Sequence, residues 1–313
     1  MGVELGTARR DWAGVAAGWA VQGARTVLVG ALATSLGCGG AEDATVVDVV
    51  AEAAPDGAAP STVVFGLTLD SVADLPAIVD ALKSLPRKPW VRIVFDYPLP
   101  PSDYIAAVQA IAPWAEIIGQ PSDSSMTANL SVAAYRDRFA SYVASLPEIA
   151  VWETCNECNS ETAGANTAAQ ADAATDVVKA AGKQALFTPY WNTPSCADAN
   201  GPYVAWTRDH ISTKVKTLSD YVMPSIYGVD CDGPEPSYPE LDDMVATFAE
   251  MFPNAQVGIG EFGKRGDAAV LQYYLNYRNA NRRYIFGGLY WFGAQDLVPK
   301  SKPLWQVFSA HMR

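Results

Sequence analysis

The sequence predicts an α/β protein whose core is a (β/α)8 TIM barrel, and three observations support this fold class. Residues 62–313 contain eight short apolar runs, and each run is followed by a longer segment with helical periodicity. Strands that alternate with helices in this way favour a parallel sheet. The stretch is about 250 residues long, which is the usual length of a closed barrel. No linker divides it, so residues 62–313 are predicted to form one domain.

The individual elements follow from the pattern of apolar runs and turn residues. Strands are expected at 62–69, 90–95, 115–119, 149–152, 185–189, 221–226, 256–260 and 284–291. Helices are expected at 72–85, 102–111, 132–145, 162–181, 205–217, 239–252, 268–282 and 304–311. An open doubly wound sheet is the alternative, but it requires a Gly-rich turn after the first strand. This chain has Leu69-Asp70-Ser71 there.

The amino-terminal residues are predicted to be an export signal and a tether. Arg25 precedes an apolar run at 26–36, and small Gly37 stands before Cys38. This order resembles a bacterial lipoprotein signal, so residues 1–37 are predicted to be the signal peptide and Cys38 the lipidated residue. An ordinary secretory signal and a buried helix are the alternatives. Residues 38–61 are predicted to be a flexible acidic tether. The protein is then exported, as a cell-envelope lipoprotein or a secreted protein, and meets a membrane only through its lipid anchor.

The charge balance restricts the class of ligand. The 313 residues include 22 Lys and Arg against 34 Asp and Glu, a net charge of -12. Such a surface repels phosphate, so nucleic acid is not an expected partner and a neutral ligand fits better. With only two histidines, His210 and His311, a His-rich metal site is not expected. We predict no metal and no organic cofactor, and we expect a monomer.

Two glutamates are predicted to form the reactive centre. In this fold the active site lies at the carboxyl ends of the strands. Glu157 follows the fourth strand and Glu261 the seventh, on opposite sides of the barrel mouth, so their carboxylates can converge on one ligand. Glycoside hydrolysis needs such a pair, because one carboxyl protonates the leaving oxygen while the other attacks or activates water. Glu157 alone would be read as an exposed loop acid. Glu153 is predicted to point into the barrel and to pair with Arg92.

Five short motifs, in order along the chain, carry a resemblance to a known group of enzymes. They are Trp-Val-Arg-Ile at 90–93, Trp-Glu-Thr-Cys-Asn-Glu at 152–157, Tyr227, Ile-Gly-Glu-Phe-Gly at 259–263 and Leu-Tyr-Trp-Phe at 289–292. Together they resemble clan A glycoside hydrolases, most of all family five, the cellulases, mannanases and their relatives. The resemblance covers the whole predicted barrel.

The resemblance implies roles for five residues. Glu157 is the general acid/base, Glu261 is the nucleophile, and Asn156 bonds the sugar 2-hydroxyl. Arg92 supports the nucleophile and Tyr227 is bonded to it. These two neighbours favour the charged form of Glu261, whereas Glu157, which faces another carboxylate in a partly dry site, is held protonated. The clan retains anomeric configuration, which implies carboxyl groups roughly 5–5.5 Å apart.

Aromatic residues at strand ends are the candidates for stacking on a sugar. Trp291 matches the tryptophan that floors the sugar subsite in the clan, and Tyr190 and Trp191 are further candidates; each could instead belong to the core. Family five commonly has histidines near the third and sixth strand ends, where this chain has Gln120 and Ser225.

Four cysteines remain in the predicted mature domain: Cys155, Cys158, Cys196 and Cys231. Cys-x-x-Cys can indicate zinc or redox chemistry, but a second such pair is missing. Disulfides are the default in an exported protein. We predict two disulfides that brace the rim of the site, with three possible connectivities. Cys158 stands where family five usually has proline.

The leading hypothesis is a retaining β-glycosidase that acts on a neutral or weakly charged polysaccharide or oligosaccharide. A non-catalytic carbohydrate-binding barrel is the main alternative. An enzyme of another class on the same barrel is a third possibility, because a fold does not determine a function.

Overall fold

The computed structural model describes residues 63–160, 164–191, 201–228 and 235–313. These residues form one parallel sheet, curled into a barrel, with helices on its outer surface. The predicted signal peptide, lipidated Cys38 and acidic tether lie outside the described residues, as do Cys196 and Cys231, so those assignments stay predictions. Within the described part of the chain, no helix is both long enough and apolar enough to cross a membrane.

Eight parallel strands form the wall of the barrel within the described residues, and three of them run in two segments. They are β1 (Val63–Leu69), β2 (Trp90–Val94), β3 (Glu116–Gln120), β4 (Val151–Asn156), β5 (Gln184–Thr188 and Tyr190–Trp191), β6 (Tyr221–Val222 and Ser225–Ile226), β7 (Gln256–Val257 and Glu261–Phe262) and β8 (Phe286–Tyr290).

The sheet closes through β8. Tyr290 in β8 pairs with Leu67 of β1 on one side and with Phe262 of β7 on the other. At the opposite end of the barrel, Val257 of β7 forms a bridge to Tyr284. Because closure gives each strand a neighbour on both sides, the barrel has no open edge.

The interruptions in β5, β6 and β7 have local causes. Pro189 and Pro224 fall between the segments of β5 and β6, and proline has no N–H to donate to a ladder. In β7 the backbone N–H of Gly258 and Gly260 still donates to β6, at 3.1 and 2.8 Å. A Cβ at Gly260 would collide with the carbonyl of Met223, so this close approach requires glycine. Glu261 therefore follows a stretch whose backbone is held tightly against β6.

The helices agree with the predicted positions, with shifts at their ends. They are α1 (Leu75–Lys83), α2 (Ile105–Ile111), α3 (Ser124–Thr127), α4 (Val132–Ser145), α5 (Thr167–Ala180), α6 (Gly201–His210), α7 (Thr213–Leu218), α8 (Tyr238–Met251), α9 (Ala268–Asn276) and α10 (Pro303–His311).

Two features of the helices differ from the prediction. The helix expected at 205–217 is two helices, because the side chain of Ser212 accepts from the backbone of Val215 and caps a new helix, α7. The short helix α3 was not expected. It begins after Asp123, whose side chain accepts from the backbone of Ser125.

The interior of the barrel changes from apolar to polar along the strands. Its lower part holds an apolar cluster made of Val64, Ile118, Val151, Leu186, Tyr221, Met223, Ile285 and Leu289. Side chains two residues further along a strand point to the same face. The residues that follow this cluster along β3, β4 and β5 are Gln120, Glu153 and Thr188, all buried and polar. The fold thus presents a polar, desolvated layer just below the carboxyl ends of the strands.

Candidate active site

The two predicted glutamates lie at the carboxyl-terminal end of the barrel. Glu157 follows Asn156, the last residue of β4, and Glu261 opens the second segment of β7. Glu261 is buried, with 3% of its surface exposed, and Glu157 is only partly buried. The Asn156 side chain reaches across the barrel, and its Nδ2 donates to Oε1 of Glu261 at 2.7 Å. The structure therefore brings the ends of β4 and β7 together as the sequence predicted.

Three side chains donate hydrogen bonds to the Glu261 carboxylate. Arg92 Nη1 forms a charge-assisted contact with Oε1, and Asn156 donates to the same oxygen. The Tyr227 hydroxyl donates to Oε2 at 2.9 Å. Arg92 is also fixed from the other side, because its Nη2 donates to the carbonyl of Gly260 at 2.6 Å. A carboxylate with this many donors is stabilised in its charged form.

Arg92 lies between two buried carboxylates. Its Nε is 3.1 Å from Oε2 of Glu153, and both side chains are fully buried. The predicted Glu153–Arg92 pair is therefore present. Asn156 Nδ2 also donates to Oε1 of Glu153, at 3.3 Å, so one amide joins the two carboxylates. Burial raises the pKa of Glu153, and Arg92 opposes that rise.

The surroundings of Glu157 and Glu261 separate their protonation states. Burial raises the pKa of Glu157 well above its ordinary value, and the negative charges of Glu261 and Asp123 raise it further. Burial also raises the pKa of Glu261, but here the positive charge of Arg92 opposes the rise. Because only Glu261 has a cation against it, Glu261 loses its proton first and Glu157 keeps one. Burial likewise raises the pKa of Tyr227, so this hydroxyl stays a donor.

A β-bulge near the end of β4 aims the residues of the site. Glu153 pairs with Leu186 of β5, but the next pair is Cys155 with Phe187, so Thr154 is an extra residue. A single extra residue reverses which face the following side chains occupy. Asn156 is consequently turned into the barrel, toward Glu261, and Cys155 is turned toward the outer core.

Glu157 has a left-handed backbone, with φ at 46°. It is the one non-glycine residue with positive φ within the part of the chain that the structure describes. Its backbone N–H donates to the carbonyl of Thr188 at 2.7 Å, and its own carbonyl accepts from Ser160 at 2.8 Å. Such conformations cost about 1–3 kcal/mol and persist only where the surroundings enforce them, which is typical of functional sites.

Ser124 is a contact that the sequence analysis missed. Its hydroxyl donates to Oε2 of Glu157 at 3.2 Å. Its backbone N–H donates to Oδ1 of Asn156 at 3.1 Å, which leaves the Nδ2 of that amide to face the two carboxylates. Asp123 caps the helix that holds Ser124. The Asp123-Ser124 sequence is a helix-start signal that could have located α3, although not its contact with β4.

The aromatic candidates have separate locations. Trp291 directly follows β8 and is partly exposed, with its backbone N–H donating to Phe262 at 3.0 Å. Tyr190 is partly buried and packs edge-on against the ring of Tyr203. Trp191 is 4% exposed and belongs to the apolar core.

The stacking role predicted for Trp191 does not fit this location. Adjacent residues of a strand point to opposite faces, so Tyr190 and Trp191 cannot both face the interior of the barrel. Trp191 pairs with Ile226, which is also a core residue. Of the two, only Tyr190 stays a candidate for sugar stacking.

Gln120 is the last residue of β3, and Ser225 opens the second segment of β6, as the sequence predicts. Both residues are fully buried. Neither amide atom of Gln120 has a hydrogen-bond partner in the described residues.

The sulfur atoms of Cys155 and Cys158 are joined in a disulfide. This pairing belongs to one of the three connectivities left open by the sequence. The bond between Cys196 and Cys231 that completes it concerns residues outside those described and stays a prediction. Nowhere in the described chain do three His, Cys, Asp or Glu side chains cluster so that they could hold a metal ion.

Comparison with known proteins supports the fold. No protein-family model matches the chain, and no curated protein does. Among solved structures, the Pseudomonas stutzeri endoglucanase Cel5A is similar, with a TM-score of 0.51 and 12% identity over 81% of this chain and 97% of that one.

Two structures of β-glucosidase from Thermotoga maritima are also similar. The complex with methoxycarbonyl-substituted glucoimidazole has a TM-score of 0.51 and 11% identity, covering 75% of this chain and 89% of that one. A family 1 β-glucosidase structure from the same organism has a TM-score of 0.50 and 11% identity, covering 75% and 88%. At such identities the likeness concerns the fold alone. The predicted α/β (β/α)8 barrel is thereby confirmed.

Proposed function

We propose that the protein is a retaining β-glycosidase that hydrolyses O-glycosidic bonds in a polysaccharide or oligosaccharide. One observation carries this proposal: two carboxyl groups at one barrel mouth have opposite electrostatic surroundings. Glu261 lies against the cation of Arg92, whereas the charges that act on Glu157 are those of other carboxylates. A double displacement requires this division between a charged nucleophile and a protonated acid.

In the first step, Glu157 donates its proton to the glycosidic oxygen while the Glu261 carboxylate attacks the anomeric carbon. The leaving group departs as an alcohol and the sugar is held as an ester of Glu261. The ester has no charge, so the contribution of the Glu261 charge to the raised pKa of Glu157 is lost. In the second step Glu157 therefore accepts a proton from water, the water oxygen attacks the anomeric carbon, and Glu261 is released.

Neighbouring side chains assist both steps. Arg92 and Tyr227 hold the Glu261 carboxylate in place and stabilise its charge when it is expelled from the ester. Asn156 already donates to Glu261, and we propose that the same Nδ2 group bonds the sugar 2-hydroxyl once a substrate is bound. Preorganised donors of this kind cost no reorganisation during the reaction.

Substrate recognition is assigned to the aromatic groups at the strand ends. Partly exposed Trp291 and Tyr190 offer ring faces for a sugar. The net charge of -12 favours a neutral substrate. We further propose an exported, monomeric enzyme without cofactor, in which residues 1–37 are removed and lipidated Cys38 anchors the chain through the tether at 38–61.

The decisive experiment measures reducing-sugar release from β-glucans, mannans, xylans and galactans. Wild type is compared with Glu261→Gln and Glu157→Gln, and with Glu116→Gln as a matched control, because Glu116 is exposed at the start of β3. We expect release by wild type and by the control, and a loss of at least about a thousandfold in Glu261→Gln.

The alternative, a non-catalytic carbohydrate-binding barrel, predicts another outcome. Affinity electrophoresis on the same polysaccharides would detect binding by wild type and by all three variants without sugar release. That result would refute hydrolysis. For an active enzyme, proton NMR of the first product should show the anomeric configuration of the substrate; the inverted anomer would contradict the retaining mechanism and the predicted separation of the carboxyl groups.

A further inference from the structure

A disulfide closes directly around the proposed acid/base. Cys155 and Cys158 are adjacent to Asn156 and Glu157 on either side, so the covalent loop contains no other residue between the two cysteines. The two bracketed residues are the ones that contact Glu261 and Ser124.

The disulfide lies on the side of β4 that faces away from the proposed substrate. Cys155 and Cys158 are 0% and 1% exposed and belong to the apolar core between strands and helices. The bulge at Thr154 is what turns Cys155 outward while Asn156 points into the barrel. The bond can therefore constrain the backbone from the core side of β4 without touching a bound sugar.

The backbone that the loop encloses is one that a glutamate does not adopt readily. Glu157 has φ at 46°, in the left-handed region that favours glycine. Its backbone N–H is held by Thr188, and the Cys158 tether fixes the chain on its other side. With the tether removed, Glu157 is free to return to an ordinary conformation, which moves its carboxyl group.

We propose that the Cys155–Cys158 disulfide positions Glu157, by holding the left-handed backbone that places its carboxyl group beside Glu261 and Ser124. Its consequence for catalysis rests on the proposed function, whereas the positioning itself does not. The cysteines are positioning residues, since they act through Glu157 and do not touch the reacting atoms.

The test uses the full chain with Cys155→Ala and Cys158→Ala combined. The matched control combines Cys196→Ala with Cys231→Ala, which removes as many sulfur atoms and keeps the bond around Glu157. The probes are the phenyl and 2,4-dinitrophenyl glycosides of the sugar that the polysaccharide assay releases. Dinitrophenolate departs without a proton, whereas phenolate requires one. The ratio of the rates on the two glycosides therefore measures the contribution of the general acid.

We expect kcat/KM for the phenyl glycoside to fall at least about tenfold in the Cys155/Cys158 variant, and that for the dinitrophenyl glycoside to stay within about threefold. The control should keep the ratio of the two values, because it leaves the bond around Glu157 in place. Because the two rates are measured on one preparation, their ratio is independent of the fraction that is folded. Cys158→Ser, which breaks the bond and nearly keeps the volume, replaces the double variant if the latter does not fold.

Two results would overturn the proposal. An unchanged ratio with unchanged rates would mean that Glu157 needs no disulfide, and an equal loss on both glycosides would mean that the bond supports the fold in general. If wild type hydrolyses no probe, the proposed function fails, and carbon-13 NMR titration of Glu157 then decides the positioning. Displacement of Glu157 from Glu261 lowers the pKa of Glu157, and an unchanged pKa refutes the positioning role of the disulfide.

Discussion

Replacement of Arg92 by methionine tests the electrostatic arrangement of the site without relying on any activity. The guanidinium contacts Glu153 on one side and Glu261 on the other, and the three side chains are between 0% and 3% exposed. Methionine fills a similar volume but carries no charge. Arg92→Met therefore leaves two buried carboxylates without their cation.

The expected cost is large because the charges are desolvated. Removal of one partner from a buried ion pair costs about 3–5 kcal/mol. In a domain of this size each kcal/mol corresponds to roughly 2–4 °C in Tm, so the melting temperature should fall by roughly 6–20 °C near pH 8.

The same variant should show a characteristic dependence on pH. Without Arg92, the pKa values of Glu153 and Glu261 rise further above those of the unfolded chain, since burial is no longer opposed. A carboxyl group with a raised pKa stabilises the folded state at low pH, and this stabilisation is lost as the pH rises through the folded-state pKa. The deficit of Arg92→Met relative to wild type should therefore be greatest near pH 8 and shrink toward pH 5.

The measurement is urea unfolding of wild type and variant across this pH range. Arg136→Met is the matched control, because Arg136 pairs with Asp137 on the exposed surface, where a loss below about 1 kcal/mol is expected. Arg92→Met combined with Glu153→Met should recover part of the loss, since one of the two orphaned carboxylates is gone. A deficit near that of the control, or one that does not change with pH, would refute the reasoning.

Three further predictions concern the reaction. Tyr227→Phe removes a donor from the Glu261 carboxylate, and because such a bond is worth about 1.5–3 kcal/mol, kcat on the identified polysaccharide should fall by about 10- to 100-fold; an unchanged kcat would contradict the assigned contact. The pH profile of kcat/KM should be bell-shaped, with activity lost at low pH as Glu261 gains a proton and at high pH as Glu157 loses one. Glu157→Gln should abolish the high-pH limb, and its persistence would assign the acid to another group. Ser124 lowers the pKa of Glu157 by donating to it, so Ser124→Ala should move the high-pH limb upward, and a downward shift would reverse the assigned role.

The pairing of the two glutamates could be predicted from the sequence because strand order and strand end are enough to place them. A residue that follows the fourth or seventh strand of a closed parallel barrel must lie at its carboxyl-terminal mouth. The neighbours Arg92 and Tyr227 were predicted from the resemblance of their motifs to those of clan A glycoside hydrolases, and not from strand order alone. The contact of Glu153 with Arg92 could be predicted because both side chains were expected to point into the barrel from their strands.

The details of the site could not be predicted in this way. The bulge at Thr154 reverses the side-chain alternation of β4, and no glycine or turn residue at that point of the sequence predicts it. Ser124 reaches Glu157 from a four-residue helix too short to have a periodic pattern. The choice between core and sugar for Trp191 could not be made from the sequence, because the apolar run alone does not show which of two adjacent residues faces inward.

The sequence by itself determined the fold class, the order of the elements and the strand ends at which the polar residues collect. These properties depend on local periodicity and on turn residues, which are read from neighbouring positions. Only the tertiary structure decided which side chains touch. Arg92 and Glu261 are separated by 169 residues and Asn156 and Glu261 by 105, and closure of the barrel brings them within hydrogen-bond distance. Burial and the charges of these distant partners then set the protonation of each glutamate, because both act through space and not along the chain.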